Sequence, residues 1–185
     1  TAAIYLKNGK PYKEGECLKQ LDLAKTLRTL AKLGHEGFYR GDVAHRLVMA
    51  VKQAGGVWTM QDLASYRVKI REPLEGQFKT LHIITAPPPS SGGIALLTML
   101  NILTEYPLET MPTFEWVHYI VEAMRLSFWQ RTALLGDPDF VDIPISKLLS
   151  LNNANYLRTF ISNNKATPST SLPNKVIEND NNTNT

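Results

Sequence analysis

The sequence lacks the long apolar runs of a membrane protein and is almost free of cysteine. No run approaches 18 consecutive apolar residues, so we expect no membrane-spanning helix in this chain. The single cysteine, Cys17, cannot form an internal disulfide. A catalytic role for its thiol is disfavoured, because no histidine lies near it in the sequence. The four histidines lack ligand spacings such as H-x-x-x-H, so we expect them to be structural or exposed and predict no metal site.

The chain also lacks a strong charge of one sign, since its net charge is +3 and its pI is about 8.9. Nucleic-acid binding would need basic residues gathered on one face of the protein. Here they are scattered, which predicts a solvated surface and no nucleic-acid partner. The scattered positions include Lys7, Lys10, Lys13, Lys19, Arg67, Lys69, Arg71, Arg125 and Arg131.

A starting methionine is missing as well, since the first residue is Thr1, and no charged-then-apolar leader follows it. We therefore expect the chain to be an excerpt, with any targeting signal upstream of it. Its 185 residues are enough for one domain with a proper core or for part of a larger one. Hydrophobic residues make up 43% and charged residues 20%, which is ordinary for a globular protein.

Apolar periodicity predicts that most of the chain is helical. One leucine stripe with helical spacing stops at Gly34, and a second helix should begin after Gly41 with Asp42 as its N-cap. Thr59 and Asp62 predict the capping box of a short helix. The other predicted helices are a buried one over 94–105, a long one over 113–135 that is apolar on two sides, and short ones around 145–151 and 154–161.

Strands are expected in three places. Residues 2–6 are apolar and precede a turn, which suggests a small hairpin or an edge strand. Residues 66–70 and 76–86 are rich in β-branched and aromatic side chains, which predicts two or three strands there, with the strongest signal at 81–85. The predicted class is therefore α+β, a mostly helical fragment with a few strands.

The composition changes at residue 162, where an Asn-rich segment begins. Residues 162–185 contain seven asparagines and two prolines and very few apolar side chains. Such a segment buries too little surface to offset its ordering entropy. We expect an extended or mobile tail over 162–185, separate from a main portion over 1–161.

The strongest local motif is PPPSSGG at positions 87–93. Ser90 or Ser91 could be a nucleophile at a strand-to-helix turn, but the G-x-S-x-G spacing of a nucleophile elbow is missing. A phosphate cradle is a second possibility, although G-x-x-x-x-G-K-[ST] is also missing. We favour a structural role near the core, with a serine N-cap, a tight turn, and close backbone approach at Gly92 and Gly93.

A second motif, GDPDFV at 136–141, places Asp137 and Asp139 two positions apart. Paired carboxylates can perform acid–base chemistry or hold a metal ion. A helix end followed by a turn is the simpler interpretation, and we favour it. These residues alone therefore name no reaction.

Several segments, in order, resemble the large subunit of γ-glutamyltranspeptidases over about residues 1–160. They are GHEGFYRGDVAHRLVMAVKQAGGVWTMQDLASYRV at 34–68, REPLEGQF at 71–78, PPPSSGG at 87–93, LLTMLNIL at 96–103 and EAMRLSFWQRTALLGDPDFVDIP at 122–144. The combination of PPPSSGG with GDPDFV is specific. The resemblance identifies the chain as the C-terminal part of that large subunit.

The resemblance implies an N-terminal-nucleophile (Ntn) hydrolase with an αββα sandwich, of which this chain would be one part. A precursor of this family cuts itself into two subunits, and the new N-terminal threonine of the small subunit becomes the nucleophile. It takes the γ-glutamyl group from glutathione or a similar compound and passes it to water, an amino acid or a dipeptide. The implied partner is the small subunit, no cofactor is implied, and the implied location is periplasmic or secreted.

The resemblance also indicates what to expect at the chain ends. The arginine that grips the substrate carboxylate would lie upstream, and most of the active site would lie downstream in the small subunit. Thr185 would be either the nucleophile or one of the last residues before the cleaved bond. A related acylase, cephalosporin-acylase-like or poly-γ-glutamate-processing, is an alternative, and a non-catalytic helical interaction module is another. We expect this chain alone to be inactive.

Overall fold

The computed structural model describes residues 2–173 and Val176. The chain divides into two compact units, Thr1–Lys69 and Ile70–Thr185. Within the described residues, no helix combines the length and apolarity needed to cross a membrane. The elements of the first unit are α1 (Ala2–Tyr5), β1 (Leu6–Lys7), β2 (Lys10–Pro11), α2 (Leu21–Leu33), α3 (His35–Tyr39), α4 (Gly41–Gln53) and α5 (Met60–Ser65).

The first unit has a small core between α4 and α5. Ala44, Val48 and Leu63 are buried there, and Tyr39, Leu47 and Met60 pack against them. Helix α2 forms as its leucine stripe predicts, but all of its residues stay at least partly exposed. Leu23 and Leu27, on the predicted apolar stripe, are 48% and 54% exposed.

Three local predictions for this unit need correction. Residues 2–5 form a helical turn rather than a strand, and the hairpin that follows pairs only two residues from each side. Arg40, not Asp42, is the N-cap of α4, because the unpredicted helix α3 ends at Tyr39 and the chain turns sharply at Gly41 with φ of 66°. Residues 66–70 form no strand, and within the described chain no neighbouring strand pairs with them.

The capping box of α5 is confirmed. The Thr59 backbone N–H donates to Asp62 Oδ2 at 2.7 Å, and the Asp62 backbone N–H donates to Thr59 Oγ1 at 3.2 Å. The Thr59 hydroxyl, which donates to Asp62 Oδ2 at 2.8 Å, and the Thr59 backbone N–H hold the pKa of Asp62 below its usual value, since both favour the charged carboxylate. Side chains thereby satisfy two backbone donors at the start of the helix. The reciprocal bonds of Thr59 and Asp62 fix the point at which the loop ends and the helix begins.

In the described part of the second unit there are one hairpin and four helices, together with a short 3₁₀ turn at Ser169–Ser171. Strands β3 (Leu74–Phe78) and β4 (Leu81–Thr85) are antiparallel, with Leu74 opposite Thr85 and Phe78 opposite Leu81. Of the two or three strands predicted over 66–70 and 76–86, two form, and they are joined by a tight turn in which Lys79 has a φ of 53°. The helices are α6 (Ser91–Leu103), α7 (Thr113–Leu134), α8 (Ile145–Leu148) and α9 (Leu151–Arg158).

Helices α6, α7 and α9 enclose the main core of the second unit. Its buried members are Ile102, Leu103, Tyr119, Ala123, Leu126 and Leu157. Helix α6 is buried along most of its length, as its composition predicts. Helix α7 was expected to be covered on two sides, but only one side is packed in the described structure. The other side remains 40–74% exposed, along Phe114, Val117, Val121, Met124 and Phe128.

The first part of the Asn-rich segment is placed against this core. Leu172 packs on the α6–α7–α9 cluster, and the backbone of 162–173 makes hydrogen bonds to α7. Composition alone misses these contacts, because most of them use backbone groups. The end of the segment, including Thr185, lies outside the described residues.

Candidate functional site

The PPPSSGG motif forms the connection between β4 and α6. The Ser90 backbone N–H donates to the Pro87 carbonyl at 3.2 Å, so the expected tight turn is present. Ser90 occupies the N-cap position, but its side chain makes no capping hydrogen bond within the described structure. Helix α6 begins one residue later, at Ser91, so three motif residues lie inside the helix.

The side chain of Ser91 is held by an arginine from α7. Arg131 Nε donates to Ser91 Oγ at 2.7 Å, and the Arg131 guanidinium lies 5.4 Å from the centre of the Phe128 ring. A nucleophilic serine needs a neighbouring base that removes its proton. A guanidinium is permanently charged and offers only donors, so Arg131 cannot act as that base. The contact instead ties the start of α6 to α7.

Gly93 is required for the packing of α6 on β4. A Cβ atom at this position would lie 2.1 Å from the Ala86 carbonyl oxygen and 2.9 Å from Thr85 Cγ2. Both distances are shorter than any stable contact, so a side chain would push the helix away from the strand. Gly92 is different, because the nearest neighbour of a Cβ atom there would be Ser90 Oγ at 3.6 Å. Only the second glycine of the pair is sterically essential.

Asp137 and Asp139 form a turn that binds an arginine. The Asp139 backbone N–H donates to Asp137 Oδ1 at 3.0 Å, which is an Asx turn after α7. Arg71 Nη2 lies 2.9 Å from Asp139 Oδ1 and 3.9 Å from Asp137 Oδ1. Both carboxylates therefore face a cation that the chain itself supplies. Among residues 2–173 and 176, no three His, Cys, Asp or Glu side chains gather as metal ligands would.

The segments that carry these motifs meet around one apolar cluster. Ile94, Ile143 and Leu148 are buried together, and Leu74, Leu134, Leu135, Ile145 and Leu149 pack against them. We call this group, with the Ser91–Arg131 and Arg71–Asp139 contacts, the framework cluster. It joins β3, the start of α6 and the end of α7, so the motif residues here shape and stabilise the fold.

A second polar group lies in the middle of α7. Glu122 is only 2% exposed, and its Oε2 accepts from Arg125 Nη2 at 2.7 Å. Its Oε1 accepts from the Thr167 backbone N–H at 3.2 Å. Burial raises the pKa of this carboxyl, but the hydrogen bonds from Arg125 and Thr167 outweigh it and hold the pKa below its usual value. Arg125 Nε and Nη1 are buried and have no hydrogen-bond partner among the described residues.

Gln130, two turns further along α7, is buried to the same extent at 2% exposure. Its Nε2 donates to Asn153 Oδ1 and to the Val176 carbonyl, each at 2.8 Å. Asn153 returns a bond from Nδ2 to Gln130 Oε1 at 3.0 Å and also donates to the Leu148 carbonyl. Nearer the start of α7, His118 Nε2 lies 2.7 Å from the Ser162 carbonyl oxygen. We call His118, Glu122 and Gln130 the tail-binding face.

A cleft of about 430 Å³ lies where the chain leaves α9. It is lined by Thr159, Phe160, Ile161, Ser162, Lys165, Thr167, Pro168 and Ser171. None of the motif residues singled out from the sequence lines this cleft. The described residues therefore bring Ser91 to Arg131 and the two aspartates to Arg71, but they assemble no nucleophile with a base. Thr185 cannot be placed relative to these groups, because it lies outside the described residues.

Sequence reasoning missed the arginines and the polar residues of α7. Arg125 was grouped with a solvated surface, but its side chain is only 16% exposed and is paired with a buried carboxylate. Arg71 is also largely covered, at 25% exposed. A signal was present in the sequence, since Glu122 and Gln130 interrupt a helix whose neighbouring positions are apolar. Buried polar residues need partners.

Comparison with known proteins places the chain in one group. The family model described as Gamma-glutamyltranspeptidase matches residues 1–185. The glutathione hydrolase proenzyme of Pseudomonas sp. (strain A14) is 41% identical over 90% of this chain and 29% of its own length. The glutathione hydrolase proenzyme of Bacillus subtilis subsp. natto is 43% identical over 79% of this chain and 25% of its own length. The chain thus spans under a third of these relatives.

Solved structures agree with the sequence comparisons. The γ-glutamyltranspeptidase of Helicobacter pylori superposes with a TM-score of 0.80 at 37% identity, covering 92% of this chain and 49% of that one. A cephalosporin acylase from Bacillus halodurans superposes with a TM-score of 0.74 at 28% identity, covering 87% of this chain and 30% of that one. The predicted fold, a mostly helical piece of an Ntn-hydrolase sandwich, is confirmed by these superpositions.

Proposed function

Because the chain belongs to the γ-glutamyltranspeptidase family, we propose that it is the C-terminal part of the large subunit of a glutathione hydrolase. The observation that carries this proposal is the match of the family model over residues 1–185. In this role the described residues provide a framework, and the chemistry belongs to groups beyond them. The whole protein would cleave γ-glutamyl amide bonds and transfer the acyl group to water or to an amine.

Maturation would begin at a threonine at or just beyond Thr185. The threonine Oγ attacks the carbonyl carbon of the preceding residue, an ester C–O bond forms, and the C–N bond breaks as the hydroxyl proton passes to nitrogen. Water then cleaves the ester, which leaves a carboxylate on the large subunit and a free threonine on the small one. The freed α-amine becomes the base for catalysis.

Catalysis would repeat the same chemistry on a γ-glutamyl compound. The threonine Oγ attacks the γ-carbonyl carbon, the amide C–N bond breaks, and the leaving amine takes the hydroxyl proton through the α-amine. Water then releases glutamate, or an amino acid or dipeptide takes the acyl group as a new amide. The proposed partners are therefore the small subunit, glutathione or related γ-glutamyl compounds, and an amine acceptor, at a periplasmic or secreted location.

A related acylase is the competing function. The acylase structure superposes less well than the γ-glutamyltranspeptidase, with TM-scores of 0.74 and 0.80. The two structures are 37% and 28% identical to this chain in sequence, and both share its fold, so the fold fits either function. We favour γ-glutamyl chemistry because the family model and the better superposition both point to γ-glutamyltranspeptidases. The experiment below includes an acylase substrate as well.

A chimaeric precursor tests this proposal. The matching residues of the Pseudomonas sp. (strain A14) proenzyme are replaced by residues 1–185 of this chain. We expect two fragments on a denaturing gel, a threonine at the new N-terminus, and hydrolysis of γ-glutamyl-p-nitroanilide. N-terminal sequencing also shows whether Thr185 or a residue after it is the nucleophile.

Two controls accompany the chimaera. Thr185→Ala abolishes cleavage if Thr185 is the nucleophile and leaves it largely intact if the nucleophile lies further on. A glutaryl-cephalosporin is assayed in parallel. A folded chimaera that stays in one piece, or one that cleaves the cephalosporin amide and not the γ-glutamyl amide, would overturn the proposed function.

A further inference from the structure

Three side chains on one helix bind the backbone of the segment that follows α9. His118 lies 2.7 Å from the Ser162 carbonyl, Glu122 accepts from the Thr167 N–H at 3.2 Å, and Gln130 donates to the Val176 carbonyl at 2.8 Å. The order along α7 is the same as the order along the segment. At 1.5 Å per residue, His118 and Gln130 are roughly 18 Å apart along the helix axis, so the three contacts are spread over several turns of α7.

Each of these three hydrogen-bonding contacts from α7 reaches a backbone atom of the segment. A carboxylate and a carboxamide that bind N–H and C=O groups fix the path of a chain without reading its sequence. The segment supplies further contacts of its own, since Thr167 Oγ1 donates to the Phe160 carbonyl at 3.0 Å. Leu172 adds an apolar contact to the core. An Asn-rich composition is compatible with this kind of binding.

Of the three buried polar side chains of α7, Ser127 bonds within the core, whereas Glu122 and Gln130 each take one partner from the segment. Arg125 satisfies Glu122 Oε2, while the other oxygen accepts from Thr167. Gln130 uses Nε2 on both Asn153 and Val176. A buried polar atom without a partner is destabilising. Glu122 and Gln130 therefore indicate that the segment binds to α7. Without it, one hydrogen-bonding atom of Glu122 and one donor of Gln130 would lose their partner.

We propose that Glu122 and Gln130 are positioning residues for self-cleavage, which fix the segment at Thr167 and Val176 and so set where the bond to be cleaved is presented. This inference rests on the proposed function. Neither residue touches the reacting atoms, and their effect passes through the backbone of the segment. Maturation then depends on two side chains of α7 that belong to neither the PPPSSGG motif nor the GDPDFV motif.

Hydrogen exchange on the full chain tests the anchoring itself. In Glu122→Leu/Arg125→Leu both partners of the buried pair become apolar, a replacement that buried ion pairs often tolerate. We expect the Thr167 amide to exchange at least about tenfold faster, because its acceptor is gone. Glu122→Gln keeps an acceptor oxygen and should restore most of the protection. Gln130→Met removes the contact to Val176. Its control, Asn153→Leu, removes the hydrogen bonds of Asn153 to Gln130 and to the Leu148 carbonyl and keeps the group that binds Val176.

The chimaeric precursor tests the consequence for cleavage. We expect the double variant and Gln130→Met to self-cleave at least about tenfold more slowly than the parent, with Asn153→Leu close to the parent. Circular dichroism at the assay temperature checks that each variant is folded. A parent chimaera that fails to cleave counts against the proposed function, and the exchange data still decide the anchoring. The positioning role would be overturned if Thr167 exchange were unchanged in the folded double variant. It would also be overturned if a variant whose exchange shows that the segment is released still cleaved at the rate of the parent.

Discussion

The framework cluster and the tail-binding face use polar residues in opposite ways. In the framework cluster, Ser91, Arg131 and Asp139 make their contacts at a partly exposed surface, and the buried residues there are apolar. On the tail-binding face, Glu122 and Gln130 are each 2% exposed within a helix that packs against the core. Exposed ion pairs stabilise little, whereas buried polar groups are costly to leave unpaired. The difference predicts that the polar residues of the two motifs tolerate change better than the buried polar residues of α7.

The largest expected effect tests the buried pair. Arg125→Met leaves the Glu122 carboxylate buried without its cation, so we expect the free energy of unfolding to fall by about 3–5 kcal/mol. Urea denaturation followed by circular dichroism measures it. Arg28→Met, at an exposed position of α2, is the control and should stay within about 0.5 kcal/mol. A loss below 1 kcal/mol for Arg125→Met would remove the distinction between the two regions.

The next effect concerns a framework residue whose role is steric rather than polar. Gly93→Ala places a methyl group where the Ala86 carbonyl lies at 2.1 Å. We expect a loss of about 2–3 kcal/mol, because backbone must move to make room. Gly92→Ala, one residue earlier in the same helix, should be neutral or stabilise the protein by up to about 1 kcal/mol. Equal effects at the two glycines would contradict the close approach of α6 to β4.

The third prediction is a pH dependence carried by Glu122. Its pKa is lowered in the folded protein, so the folded state favours the ionised form. This stabilisation is fully present above the usual glutamate pKa of about 4.3 and is lost as the pH falls through the lowered value. Glu122→Gln should therefore be less stable than the parent at pH 7, and the two unfolding free energies should converge in acid. A constant difference from pH 7 to pH 3 would show that ionisation of Glu122 contributes nothing.

The smallest effect is expected at the motif serine. Ser91→Ala removes one hydrogen bond to Arg131 at a partly exposed site, which is worth about 1 kcal/mol. In the chimaeric precursor we expect self-cleavage and γ-glutamyl-p-nitroanilide hydrolysis within about threefold of the parent, because Ser91 has no base and does no chemistry. A correctly cleaved, fully stable variant whose kcat falls a hundredfold or more would make Ser91 catalytic after all.

The sequence predicted regular elements where periodicity or local chemistry is strong. The capping box at Thr59 and Asp62 and the buried helix α6 are local features, and both are confirmed. The short helix α3 was missed, because its five residues are too few to show a period. Residues 66–70 carry the β-branched and aromatic side chains of a strand, but a strand forms only where a partner strand is available.

The polar contacts were harder to predict for a different physical reason. Arg131 and Ser91 are 40 residues apart, and Gln130 and Val176 are 46 apart, so no local pattern pairs them. Arg125 is a different case, because its partner Glu122 lies only three residues earlier on the same helix. The interruption of an apolar helix by Glu122 and Gln130 was the available signal, and it points to buried partners without naming them.

Intact mass and N-terminal sequencing of the chimaeric precursor show whether this chain supports self-cleavage. We expect the purified protein to contain two chains, the second of which begins with a threonine at Thr185 or shortly after it. A folded precursor that stays a single chain after prolonged incubation, under conditions in which the Pseudomonas sp. parent cleaves completely, would contradict this expectation.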